Sequence, residues 1–195
     1  MHSLARLVEI GAFFSKDTPI PIFSAQNQPK NTKYPNLKYN KKNERHFMII
    51  ENLDDLKKFA YKLAPLLEET DLISLVGDMG AGKTTLVNDI CSYFGIDDSS
   101  SPTFAIVNIY EGDKTIYHLD LYRFDDPDDI LDIDFETYFY PDHAISFIEW
   151  AENAGAYLPE DLIEIRIDKL DDDRREITIG GKGERSGEIN ELLSN

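Results

Sequence analysis

Eight consecutive residues, Gly77-Asp78-Met79-Gly80-Ala81-Gly82-Lys83-Thr84, match the spacing G-x-x-x-x-G-K-[ST] in full. The residue types suit one chemistry, the cradling of a nucleoside triphosphate with Mg²⁺. Glycines let main-chain N–H groups converge on phosphate oxygens without a Cβ in the way. A helix N-terminus beginning at the same point adds positive dipole. Lys83 reaches the β- and γ-phosphates, the Thr84 hydroxyl ligates Mg²⁺, and Thr85 assists at the α-phosphate.

Such a loop needs an acidic partner for the metal or its water, commonly at the end of a buried strand. Two runs supply one. Ala144–Ile148 is apolar and ends at Glu149, and Thr115–Leu119 ends at Asp120. Spacing does not rank the two. In the second run, His118 and Asp120 share a face by the two-residue period of a strand. His118 reads as a packing or hydrogen-bonding residue more readily than as a general base. Ser101-Pro102-Thr103 follows, by a short loop, the helix that begins at the glycine-rich segment, where a threonine can sense the γ-phosphate and metal in nucleotide switch proteins. Trp150 reads as core or pocket wall, and Cys91 as a small buried hydrophobe.

These residues need elements to hold them. Phe47–Ile50 reads as a short strand. Asn52 is a good helix N-cap, with Asp54 and Asp55 in the first turn. Leu53, Leu56, Ala60, Leu63 and Leu67 recur at helical spacing, and Pro65 should kink or shorten that helix. Leu72–Val76 is a buried strand leading into the glycine-rich turn. Leu86, Val87, Ile90, Cys91 and Phe94 give the next helix an apolar face that Gly95 ends. Phe104–Tyr110 and Thr115–Leu121 form a hairpin around Glu111–Lys114. Pro127 opens a helical stretch, with Ile130–Tyr140 expected as helix. Leu162–Ile167 and Glu176–Ile179 form a second hairpin around Asp171–Asp173. Strands alternate with helices while two hairpins add antiparallel pairs. The expected fold is α/β, a P-loop NTPase-like mixed sheet flanked by helices.

The 195 residues suffice for one domain with appendages. Residues 47–180 form the patterned domain. Residues 181–195 are a polar tail with about one turn of helix near Leu192. Residues 1–46 are basic and rich in Pro, Asn and Lys, with a short helix expected over Leu4–Phe14. They read as a disordered arm, a targeting peptide or an upstream mis-start, since Met48 begins the first well-patterned element. The arm carries net charge +5 and the rest −22, within a total of −17. So acidic a body repels polyanions and disfavours a direct grip on RNA or DNA. No apolar run approaches the ~18 residues of a membrane span. The single cysteine excludes an intramolecular disulfide and makes a cytoplasmic location the default.

Four blocks taken together resemble one known family. They are Gly77–Thr85, Ser101-Pro102-Thr103-Phe104, His118-Leu119-Asp120-Leu121-Tyr122-Arg123 and Ile148-Glu149-Trp150. In order and spacing, from about Met48 to Ile179, the chain resembles the TsaE (YjeE) family, bacterial ATPases of tRNA threonylcarbamoyladenosine biosynthesis. The resemblance implies an ATP- and Mg²⁺-dependent accessory protein acting with TsaD-like and TsaB-like proteins on adenosine 37 of tRNAs reading ANN codons. Its hydrolysis would reset the complex, and tRNA would be met only indirectly. The resemblance further implies that Thr84 and Glu149 hold Mg²⁺, directly or through water, and that Asp120 is an essential acid near the metal and the nucleophilic water. Lys83, Asp120 and Glu149 are then the catalytic set. Asp78, Met79, Gly80, Ala81, Gly82, Lys83, Thr84 and Thr85 line the nucleotide. Thr103 belongs to a switch segment, Trp150 lies beside the site, and Arg175 or Arg174 approaches the adenine together with the helix start at Asn52–Asp55.

The chain departs from the family pattern at Asp134, where glycine is usual, and at Ala151, where proline usually follows the tryptophan. Residues 1–46 have no counterpart. The alternatives are a small-molecule P-loop kinase and a nucleotide-gated binding protein with negligible turnover. The kinase is disfavoured by the thin supply of arginines between the glycine-rich loop and the last strand, namely Arg123, Arg166, Arg174 and Arg175. A GTPase is disfavoured because no Asn-Lys-x-Asp base-reading motif is present.

Overall fold

The computed structural model describes residues 47–96 and 105–194. The expected helix over Leu4–Phe14 and the Ser101–Thr103 segment lie outside the described residues.

A seven-stranded mixed sheet forms the centre, in the order β1-β7-β6-β2-β5-β4-β3. Its strands are β1 (Phe47–Ile50), β2 (Leu72–Val76), β3 (Val107–Glu111), β4 (Thr115–Asp120), β5 (Ile145–Glu149), β6 (Ile163–Lys169) and β7 (Arg175–Gly180). The middle four, β6-β2-β5-β4, run parallel. Both expected hairpins are present, β3–β4 and β6–β7, and β1 closes antiparallel on β7. Parallel strands buried on both faces call for near-continuous apolar runs, which LISLV and ISFIE supply.

Side chains alternate between the two sheet faces. On one face Ile73, Leu75, Ile145 and Phe147 pack with α1 (Leu53–Leu63), α2 (Lys83–Tyr93) and α4 (Glu184–Ser194) through Leu56, Phe59, Leu86, Ile90 and Ile189. On the other, Leu72, Leu119 and Ile148 pack with Ile130, Phe139 and Ala154 from short helical turns. Asn52 caps α1 as expected, its side chain accepting from Asp55 N at 3.0 Å. Pro65 falls in a 3-10 turn, Ala64–Leu66, that continues α1 with tighter winding.

Two elements differ from the expected pattern. In place of one helix over Ile130–Tyr140 there are a 3-10 helix at Pro127–Asp132 and the short α3 at Phe135–Phe139. Asp126 and Asp129 form a capping box at the start of the first. The chain then leaves helical geometry at Ile133 (φ −116°, ψ 159°), the first of the two residues between the pieces.

The polar tail is the second difference, because it carries the eleven-residue α4 rather than a single turn. Ile189 is fully buried. Arg185 forks onto the carboxylate of Asp71, with Nε to Oδ1 at 2.9 Å and Nη2 to Oδ2 at 3.1 Å. A bidentate pair of this kind holds position as well as charge. Asp71 immediately precedes β2 and is nearly buried, so losing its cation leaves an uncompensated carboxylate. Replacing Arg185 with Ala is expected to cost about 2 kcal/mol, read as a lower urea midpoint with unchanged slope.

Candidate functional site

Because β2, β5 and β4 are adjacent and parallel, their C-terminal ends meet at one edge of the sheet, the usual place for ligands in such folds. The glycine-rich loop leaves β2 there. Glu149 pairs in register with Leu75 on one side and Asp120 on the other. Period two then turns Glu149, His118 and Asp120 towards the face that carries α2.

The contacts are direct. Thr84 Oγ1, in the first turn of α2, donates to Glu149 Oε1 at 2.6 Å. His118 Nε2 lies 3.0 Å from the same oxygen, and the imidazole is fully buried. Burial by itself would raise the Glu149 carboxyl. The hydrogen bond and charge of His118, the Thr84 hydroxyl and the Lys83 ammonium outweigh it, and the group sits below its ordinary value. Asp120 Oδ1 accepts from Tyr122 N at 3.0 Å, which fixes the turn that follows β4.

Lys83 is also buried. Its Nζ donates to Gly77 O at 2.8 Å and Asp78 O at 3.2 Å, and lies 4.6 Å from the centre of the Trp150 ring. Trp150 has φ 58°, the left-handed conformation that a residue with a side chain adopts only at some cost. That backbone sends the chain away from β5 and stands the indole against Lys83 and against Tyr122, 5.2 Å between ring centres.

The loop glycines have distinct reasons. At Gly77, φ is 149° and a Cβ would lie 2.3 Å from Ile167 O, a backbone atom of β6 that cannot yield. Gly82, with φ 111°, is the N-cap of α2 and is backed by Leu56 Cδ2 and Arg175 Nε. The exposed Met79 and the open Gly80 form the outer rim, while Ala81 is buried.

Strand β6 runs past the end of β2: Val76 pairs with Arg166, and β6 continues to Lys169. The turn of the β6–β7 hairpin therefore rises beside the glycine-rich loop. A wide cavity of about 450 Å³ is lined there by Glu51, Asp171, Asp172, Asp173 and Arg174. Arg174 is half exposed and pairs with Asp171. Arg175 turns inward, its Nε donating to Ala81 O at 3.1 Å.

Of the residues singled out from the sequence, Thr84 meets Glu149 and Lys83 meets Trp150, and Asp120 is the strand neighbour of Glu149. Thr85 follows Thr84 in the first turn of α2, and Thr103 is outside the described residues. The His118 contact with Glu149 depends on the β4–β5 register, for which the sequence carries no signal. Cys91 is buried in α2, and burial pushes its thiol up to about 12, so it stays protonated and inert at neutral pH.

A strand, a glycine-rich loop and a helix, with a strand-end carboxylate beside the helix's first threonine, define a P-loop α/β protein. Residues 50–177 match the family described as "Threonylcarbamoyl adenosine biosynthesis protein TsaE". The chain belongs to that family. Among its relatives, the tRNA threonylcarbamoyladenosine biosynthesis protein TsaE of Rickettsia bellii is 36% identical over 130 residues, which are 65% of this chain and 89% of that one. The Bacillus subtilis protein of the same name is 35% identical over 145 residues, 73% and 90% of the two chains. The crystal structure of Bacillus subtilis YdiB superposes with a TM-score of 0.65 at 30% identity, covering 77% of this chain and 95% of that one.

A carboxylate whose folded-state affinity for protons is lowered adds stability that is complete above its ordinary value, 4.5 here, and is lost as pH falls through the folded value. Replacing Glu149 with Gln should therefore lower unfolding free energy most at neutral pH. The gap from the parent protein should close as denaturation is repeated at progressively lower pH beneath 4.5.

Proposed function

We propose that this chain is a Mg²⁺-dependent ATPase that serves tRNA threonylcarbamoyladenosine biosynthesis as an accessory to TsaD-like and TsaB-like proteins. The observation that carries the ATPase reading is the 2.6 Å contact between Thr84 and Glu149 at the mouth of the glycine-rich loop. It joins the loop's hydroxyl to a strand-end carboxylate whose protonation is suppressed.

The donor set suits magnesium. Thr84 and Glu149 offer the hard oxygens that this ion prefers, and it is usually held by one or two carboxylates together with substrate phosphates. When bound, the ion supplies positive charge to the phosphate oxygens.

The remaining work belongs to the chain. Main-chain N–H groups of Asp78–Thr85 and the α2 N-terminus cradle the phosphates, and Lys83 neutralises charge that grows in the transition state. Asp120 orients the attacking water. Its neighbour Glu149 stays ionised through its contacts with Thr84 and His118. The family resemblance gives Thr103 the role of a switch residue that senses the γ-phosphate, and Trp150 walls the site beside Lys83. The nucleoside lies towards the cavity lined by Glu51 and Asp171–Arg174.

Membership of the family supports the tRNA role. The acidic body fits a protein that reaches tRNA through partners. Among the described residues no helix is long and apolar enough to cross a membrane.

Replacing Lys83 with Ala should abolish tight ATP binding in calorimetry and hydrolysis in a phosphate-release assay. Parent-level affinity in that variant would sink the phosphate-site reading, and transfer of phosphate to an added acceptor rather than to water would indicate a kinase. For the cellular role, depletion of the protein should lower threonylcarbamoyladenosine in tRNA by nucleoside mass spectrometry. An unchanged level, with no redundant enzyme present, would rule that role out.

A further inference from the structure

Arg175 opens β7, yet it is only 7% exposed. Its guanidinium is committed to main-chain oxygens on two segments. Nε donates to Ala81 O in the glycine-rich loop at 3.1 Å, while Nη1 donates to Asp172 O at 3.3 Å and to Asp173 O in the hairpin turn. Arg174, by contrast, points outward and is paired with Asp171 across 2.7 Å.

We propose that Arg175 is a positioning residue for the phosphate cradle rather than a reader of the base, an inference that rests on the phosphate site proposed above. A trans peptide is planar, with its C=O and N–H on opposite sides. Fixing Ala81 O on the guanidinium therefore aims the N–H of Gly82 the other way, away from the hairpin and into the loop. Gly82 has no side chain to resist rotation and sits at φ 111°, so this peptide needs an external hold. The rigid fork of arginine grips the loop and the turn together, which the single ammonium of lysine does not match. The turn carbonyls in their place fix the guanidinium, so the hairpin and the loop move as one body. Leu56 of α1 closes the remaining side, 3.3 Å from where a Gly82 Cβ would stand.

A contact that shapes the phosphate cradle must act alike on every triphosphate, whereas a base contact acts on one. The test uses the full chain with Mg²⁺ and calorimetric titration of ATP, GTP and inorganic triphosphate into the parent protein and Arg175→Met, which keeps the aliphatic stem. Circular dichroism checks the fold. The expected result is an affinity loss of about 10- to 100-fold for Arg175→Met, the range for a hydrogen bond from a charged group, by a similar factor for all three ligands. Undiminished affinity would overturn the proposal, as would a loss confined to ATP, which would return Arg175 to the base. A parent chain that binds none of the three would instead defeat the phosphate-site reading itself. Should Arg175→Met not fold, hydrogen–deuterium exchange on the parent protein decides. Inorganic triphosphate, which has no base, should slow exchange in the peptide covering residues 169–175, and unchanged exchange there would overturn the coupling.

Discussion

The 2.6 Å hydrogen bond from Thr84 to Glu149 exists only because the β2–β5 register is fixed. Thr84 is placed by the end of β2 and the turn that follows it. Glu149 is placed by β5, 65 residues further along. A slip of one residue in that pairing would turn Glu149 to the opposite sheet face and leave Ile148 against α2. The register is enforced by burial on both sides. Ile73, Leu75 and Phe147 belong to the core beneath α1 and α2, whereas Leu72 and Ile148 belong to the other core. The phosphate site proposed here thus depends on apolar packing well away from it.

The same edge concentrates opposite charges in a small volume. Lys83 and Glu149 are both nearly buried, and each is satisfied by fixed partners: carbonyls and an indole face for the ammonium, a hydroxyl and an imidazole for the carboxylate. Such groups require little reorganisation when charge arrives, the preorganisation that the proposed hydrolysis would need. Several carboxylates elsewhere on the acidic body are engaged locally. Asp171 is paired to Arg174 on the hairpin turn, and the carboxylates of Asp126, Asp128 and Asp129 are engaged in a capping box and with Tyr157.

Much of this was legible in the amino-acid order because it is local. The loop spacing, the apolar runs on either side of it, the period-two placement of His118 with Asp120 and both hairpins follow from neighbours within a few residues. Most of what escaped is long-range. The helix Glu184–Ser194 looks polar by itself and is stabilised by Arg185 reaching Asp71, 114 residues earlier. The split of the expected Ile130–Tyr140 helix reflects capping by Asp126 and a bend at Ile133, local effects that outweighed apolar periodicity. The resemblance implies that Arg175 or Arg174 approaches the adenine, and nothing local in the sequence marks Arg175 as buried. Its burial follows from the extra length of β6 beyond β2, a register property invisible in composition.

Trp150 has one more consequence. It is the only tryptophan in the chain, and its left-handed backbone stands the indole 4.6 Å from the Lys83 ammonium. Indole emission responds to a nearby cation and to the polarity around the ring. The protein therefore carries a built-in optical probe at the lysine of the glycine-rich loop, with no second fluorophore of its kind elsewhere to dilute the signal. The strain accepted at one backbone position makes events at the loop readable in the unlabelled molecule.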